Sequence, residues 1–257
     1  MTRALGLAYG VACYALFLFT FLYAIGFVAD FGVPKTIDSG APANTLAALG
    51  VDVLLLGLFA LQHSGMARRG FKRWLTRAVP RSVERSTFVL ASSLVLLLLF
   101  WQWRPLPGFA WRVADPVGAN LLWALCALGW GTVLLGTFMI NHAQLFGLSQ
   151  VWARLRGREA PEPGFQTLWL YRYVRHPLMV GFLVAFWATP LMTFGHLLFA
   201  LATTGYILVG TLAFEERDLE RYLGEPYRRY QREVPAFIPR PGRVADAVGP
   251  EGERAVS

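Results

Sequence analysis

A polytopic all-α bundle embedded in a membrane is the fold this sequence predicts. Three observations predict it. Four apolar runs, at approximately 5–29, 44–65, 84–103 and 118–140, are each long enough to cross a bilayer, which takes about 20 residues. A fifth apolar region, 178–214, is long enough for two short spans. Charged residues are only 16% of the chain and hydrophobic ones 55%, whereas a soluble domain is roughly a quarter charged.

The first run follows a single arginine and lacks a small-residue cleavage site, so it reads as an uncleaved anchor and not as a signal peptide. The second carries Asp52, the one charge well inside a span. Burying it costs about 2.5–3.5 kcal/mol, so it must face a partner or water. The third and fourth runs need no special pleading. In the fifth region Thr189-Pro190 and Gly195 fall near the middle, where a turn has to be. A helical hairpin is expected, with spans 178–194 and 196–214; a single tilted helix is the alternative. That makes five or six transmembrane helices. Cys13 and Cys126 lie inside spans and read as buried free thiols.

The net charge of +8 is gathered in loops and does not point to nucleic acid. Residues 66–86 hold Arg68, Arg69, Lys72, Arg73, Arg77, Arg81 and Arg85 against Glu84. Residues 141–177 hold Arg154, Arg156, Arg158, Arg172 and Arg175 against Glu159 and Glu162. Positive loops stay cytoplasmic. Both termini are then cytoplasmic if 178–214 is a hairpin. His63, His142, His176 and the Glu215-Glu216 pair all come to that face, while His196 falls at the opposite end and reads as interfacial.

Each polar group also has a plain reading: a snorkelling residue for His63, a cap and polar loop for Asn141-His142-Ala143-Gln144, a solvated boundary for Glu215-Glu216. Pro177 suits the first turn of a helix, where its missing N–H costs nothing. His176 therefore stands just before that helix, beside free N–H groups that suit an electron-rich ligand group. Beyond Glu216, the residues Leu219, Tyr222, Leu223, Tyr227, Tyr230 and Val234 recur mostly on one helical face among arginines. Gly224-Glu225-Pro226 breaks that face into two helices, which form an amphipathic cap. The expected organisation is a four-span bundle over 1–140, a cytoplasmic loop over 141–177, a membrane hairpin with its cap over 178–240, and a disordered tail over 241–257. The 154–166 stretch reads as an exposed loop. No Walker loop, GxGxxG, CxxC pair or HExxH occurs.

The stretch Tyr173-Val174-Arg175-His176-Pro177-Leu178-Met179-Val180-Gly181, followed by Glu215-Glu216, Leu223 to Tyr230 and Val234 to Pro239, resembles the isoprenylcysteine carboxyl methyltransferase superfamily. Gln62-His63-Ser64-Gly65-Met66-Ala67-Arg68, Val83 to Val89 and Asn141 to Leu148 look like its methanethiol S-methyltransferase branch, among NnrU-like membrane proteins. With these, the resemblance covers nearly the whole chain. Met179 departs from it, since family members often have an aromatic residue there.

The resemblance implies an integral membrane enzyme of a bacterial inner membrane that binds S-adenosylmethionine at the cytoplasmic face and methylates a small hydrophobic thiol. It implies a cofactor site built from His176, Pro177, Leu178, Gly181, Glu215, Glu216 and Tyr227. His63 and His142 are candidates for the base that takes the thiol proton, and Arg175 for a positive field on the thiolate. Asn141 and Gln144 are expected to contact the acceptor. No metal is expected, although His63, His142, His176 and a glutamate would be a possible zinc set by ligand type. Other readings are methylation of a larger prenyl-like thiol or carboxylate, a sterol-type reductase using a nicotinamide, and a non-enzymatic scaffold or transporter. The oligomeric state is not legible in the sequence.

Overall fold

The computed structural model describes residues 1–40, 44–160, 167 and 169–240. The expected tail at 241–257 lies outside them, as does most of the second half of the predicted 154–166 loop. Among the described residues five helices are long and apolar enough to cross a membrane: α1 (Arg3–Val28), α2 (Thr45–Ala67), α4 (Arg81–Gln102), α5 (Pro116–Ile140) and the helix that starts at Phe194. The chain is an integral membrane protein. Short helices α3 (Arg69–Leu75), α6 (His142–Leu145) and α7 (Leu148–Leu155) fill the connections. Residues 156–159 past α7 are exposed, as the loop reading expects.

Polar caps set the helix starts. Thr2 Oγ1 accepts the Leu5 N–H at 3.3 Å, and Asn44 Oδ1 accepts those of Leu46 and Ala47. Asp115 Oδ2 accepts the Gly118 N–H at 2.7 Å at the start of α5. Each satisfies amides that the first turn leaves without helical partners.

The chain folds as two compact units. The first draws on Met1–Ala119, on the chain from Ala143 through α7, and on Thr189–Thr203. Here α4 packs on both α1 and α2, and α7 packs on α1 and α4. Phe88, Val89 and Phe146 form a buried cluster, with Phe17 stacked on Phe146 at 3.8 Å. Arg85 Nε donates to the Leu145 carbonyl at 2.6 Å and ties α6 to α4. Gly147 must be glycine for two reasons: its φ is +89°, and a Cβ there would lie 2.8 Å from the Ser86 nitrogen. Asp52 is fully buried and accepts the Arg104 backbone N–H at 2.9 Å, the partner its position demands. Cys13 and Cys126 are both buried free thiols.

The predicted hairpin turns where the sequence places the turn, but its first arm is short. Helix α8 (Pro177–Trp187) has 11 residues, about 16 Å against a hydrocarbon core of about 30 Å. Strand β2 (Leu191–Thr193) follows and pairs antiparallel with β1 (Phe109–Arg112). Pro190 ends the helix because it has no N–H to give, yet its carbonyl accepts the Val113 N–H at 2.8 Å. Helix α9 (Phe194–Val209) resumes at once, with the His196 N–H donated to Thr193 Oγ1. His196 stands just past the turn, where the sequence puts it, and is 2% exposed, so protein surrounds it in the first turn of α9.

The second unit draws on Asn120–His142, on the chain from the 3₁₀ turn Trp169–Arg172 to Ala188, and on Thr204 onward. Helices α5 and α8 approach closely through facing glycines. A Cβ on Gly129 would lie 2.6 Å from the Ala185 nitrogen and 2.8 Å from the Gly181 carbonyl oxygen. Gly129→Ala has only backbone to push against, so it is expected to destabilise by about 1–3 kcal/mol. A lowered melting temperature in detergent checks this, with Gly131→Ala, which meets nothing within 4 Å, as the neutral comparison.

Candidate active site at the Arg-His-Pro turn and the cap

Helix α9 is apolar on all sides and runs into a π turn, Gly210–Glu215, whose closing bond joins the Glu216 N–H to the Thr211 carbonyl. One extra residue per turn rotates everything after it by about 100°. Adjacent carboxylates then meet opposite surroundings. Glu216 is buried, while the Glu215 side chain is 46% exposed. From Glu216 the chain continues as α10 (Glu216–Leu223) and α11 (Glu225–Glu233), turning at Gly224 with φ +67°.

Glu216 is the hub. Its Oε1 accepts from Arg175 Nε at 2.8 Å, forms an ion pair with Arg175 Nη2 at 2.6 Å, and lies 3.0 Å from His176 Nε2. Its Oε2 accepts from Gln231 Nε2 at 3.3 Å. A carboxylate offers about four lone-pair positions; the protein crowds Oε1 and places one donor on Oε2. Arg175 is equally committed: beyond Glu216, its Nη1 donates to the carbonyls of Gln231 and Val234. The backbone N–H groups of Arg175 and His176 donate to the Pro235 and Ala236 carbonyls at 2.9 and 3.1 Å. The Arg-His-Pro turn is thus sewn to the far end of the cap.

His176 is 5% exposed and sits between the two carboxylates, with Nδ1 3.8 Å from Glu215 Oε2. That gap is an ion-pair distance, too long for a hydrogen bond. Phe237 lies against the imidazole, ring centres 5.8 Å apart. Pro177 is the first residue of α8, as expected, and is buried. Leu178 and Gly181 face α5: Leu178 Cβ would lie 3.1 Å from a Cβ on Gly136, and Gly181 meets Gly129 and Val133.

The cap's apolar face is close to the one expected. Tyr227, Tyr230 and Val234 are buried together, with Leu219 and Leu223 packed on them. Tyr222 departs, at 55% exposed, because neighbouring helical positions point about 100° apart and Leu223 takes the inward one. Tyr230 donates its hydroxyl to the Tyr171 carbonyl at 2.5 Å. Burial pushes the phenols of Tyr171, Tyr227 and Tyr230 well above the usual tyrosine range, so all three stay neutral.

Three participants were missed from the sequence. Gln231 gave no signal, because a glutamine amid arginines reads as surface. Tyr171 lies outside every quoted motif. Phe237 belongs to the Val234–Pro239 segment that the resemblance named without giving it a role.

His142, also in the second unit, opens α6 just beyond Asn141, whose φ is +119°. Its Nδ1 is 2.8 Å from Thr137 Oγ1, and its ring stacks on Phe138 with centres 4.4 Å apart. Partial burial lowers its pKa below the usual histidine value, which keeps the ring neutral at pH 7. In the first unit, His63 Nδ1 lies 3.2 Å from Ser92 Oγ, and the ring sits between Phe59 and Phe88. Gln144 gives its carbonyl to Gln150 Nε2 at 3.1 Å. Among the described residues no group of three or more His, Cys, Asp or Glu side chains is placed to hold a metal.

An exposed carboxylate beside a buried histidine, held by a buried Arg–Glu clamp, is a place for a polar or cationic ligand. The matches to known proteins bear on which one. The model of the NnrU protein family matches residues 53–232. A methanethiol S-methyltransferase of Mycobacterium tuberculosis is 58% identical over 95% of this chain and 99% of its own length. One from a Pseudomonas species is 54% identical over 91% of this chain and 90% of its own. Mouse nurim is 30% identical over 72% of this chain and 73% of its own. No solved structure matches. The chain belongs to the NnrU family, in the branch that holds the methanethiol S-methyltransferases.

Proposed function

We propose that this protein methylates methanethiol to dimethyl sulfide with S-adenosylmethionine as donor. The observation that carries this is the unequal pair of carboxylates: Glu216 is consumed in holding Arg175, His176 and Gln231, and Glu215 is left exposed at the same turn. Two relatives that match more than nine-tenths of the chain are named methanethiol S-methyltransferases.

The residues fit such a donor. Glu215 can accept hydrogen bonds from ribose hydroxyls or from the ammonium of the methionine portion. The first amides of α8, at Leu178 and Met179, suit its carboxylate. Tyr227, buried in the cap's apolar cluster, is proposed to support the donor site from behind. His176, Pro177, Leu178, Gly181 and Glu216 shape the turn that presents these groups. S-adenosylmethionine, when bound, supplies an electrophilic methyl group on a sulfonium.

In the proposed reaction the acceptor's sulfur forms the new carbon–sulfur bond as the donor's breaks. The electron pair stays with the departing sulfur, which leaves in S-adenosylhomocysteine. The acceptor must first lose its proton, because the thiolate is the nucleophile and a thiol near pKa 8.5 is mostly protonated at pH 7. A neutral imidazole is the suitable base, and His63 and His142 are the two candidates. A positioned base is worth 10²–10⁴-fold. Arg175 can contribute its field only through the geometry of its clamp, since Glu216 neutralises it. Asn141 and Gln144 are proposed to contact the acceptor.

The termini are proposed to be cytoplasmic, in a bacterial inner membrane. Helix α8, about 16 Å long, is too short to cross alone, and in this six-span reading the residues from 188 to 193 complete the crossing. Extended backbone at that depth must be satisfied by protein, and Trp111 Nε1, Val113 and β1 supply the partners. His63→Ala and His142→Ala test the base. One of them is expected to lower turnover by tenfold or more with donor binding intact. If neither does, the base is neither histidine.

A further inference from the structure

The turn between α3 and α4 carries a cavity that methyl transfer leaves unused. It holds about 450 Å³, with apolar walls from Met1, Ala78, Val79, Pro80 and Val83. Its polar side chains are Tyr9 and Thr87, whose hydroxyls bond each other at 3.1 Å. With its hydroxyls satisfied, the cavity suits hydrocarbon. The chain on either side is the opposite. Arg77 and Arg81 flank Ala78–Pro80, are exposed, and pair with no carboxylate among the described residues. Trp74, one turn earlier, is 60% exposed, as tryptophans at a membrane–water boundary are. The turn opens α4, a membrane helix, and the short connection through α3 leads back to the end of α2, the membrane helix before it, which puts the turn at the level of lipid headgroups.

We propose that this corner binds one anionic phospholipid, its phosphate on Arg77 and Arg81 and the first part of its acyl chains in the cavity. Unpaired basic residues beside a membrane attract anionic lipid. A greasy cavity between two of them converts that general attraction into a site, because phosphate and hydrocarbon are then bound by adjacent residues.

Native mass spectrometry of the full chain, titrated with phosphatidylglycerol and with phosphatidylcholine of the same acyl chains, tests it. The unmodified chain is expected to hold one phosphatidylglycerol at least tenfold more tightly than phosphatidylcholine. Arg77→Gln with Arg81→Gln is expected to remove that preference. Val79→Trp, which fills the cavity and keeps both charges, is expected to weaken the first phosphatidylglycerol at least fivefold. Arg69→Gln with Arg73→Gln, on the same basic stretch but off the cavity wall, is expected to leave it within twofold. The arginines are exposed, so their variants decide the matter even where Val79→Trp fails to fold. Equal retention of the two lipids overturns the site. So does an equal loss in both arginine pairs, which indicates a diffuse charged surface, or displacement by inorganic phosphate at the same concentration.

Discussion

Arg175→Met is expected to release the cap. The guanidinium and the Glu216 carboxylate are 10% and 11% exposed, and removing one partner of a buried pair leaves the other uncompensated. That costs about 3–5 kcal/mol. The loss is local, because the same guanidinium holds the Gln231 and Val234 carbonyls at the far end of α11. Limited trypsin digestion reads it well: Arg217, Arg221, Arg228, Arg229 and Arg232 all lie in the cap. Cleavage there is expected to speed up at least a hundredfold when it follows the population of the open form. Glu216→Gln is expected to do nearly as much. Arg175→Met combined with Glu216→Leu is expected to recover more than half the loss, since replacing both charges removes the orphan. A cap that resists trypsin equally well in Arg175→Met contradicts the clamp.

Glu215→Ala is expected to behave in the opposite way. Its carboxylate is half in solvent and, among the described residues, its ion pair is the 3.8 Å approach to His176, so the fold loses little. A charge-assisted hydrogen bond to a ligand is worth about 1.5–3 kcal/mol, which is roughly a 10- to 150-fold loss of S-adenosylmethionine affinity. Isothermal titration with trypsin resistance as a control separates the two glutamates. Loss of binding in Glu215→Ala with an intact cap identifies the ligand-facing carboxylate. Unchanged affinity means that the donor is held elsewhere.

Much of this arrangement was legible in the residues. Long apolar runs placed four spans to within a few positions, because a bilayer leaves helices few alternatives. Pro177 marked the start of α8, and Asp52 demanded a partner that Arg104 supplies. The fifth span was misjudged because 178–194 is apolar throughout, and hydropathy does not distinguish helix from strand. Only the pairing of Leu191–Thr193 with Phe109–Arg112 decides it, and that partner lies some 80 residues away.

At the site, the sequence showed that Arg175, His176 and two glutamates belong together, but not which glutamate does what. The π turn makes that division, and nothing in Gly210–Glu215 announces it. The carbonyls of Gln231, Val234, Pro235 and Ala236 are equally silent, since every residue has one. Arg175 was expected to offer its charge to a thiolate; its hydrogen bonds show that charge already spent within the protein.

Headspace gas chromatography of the purified chain, supplied with S-adenosylmethionine and methanethiol, tests the proposed reaction most directly. Dimethyl sulfide is expected only when both are present, and at least tenfold less of it from Glu215→Ala at limiting donor. No dimethyl sulfide from protein that binds S-adenosylmethionine contradicts the small-thiol acceptor and points to a larger one. No binding at all contradicts the methyltransferase itself.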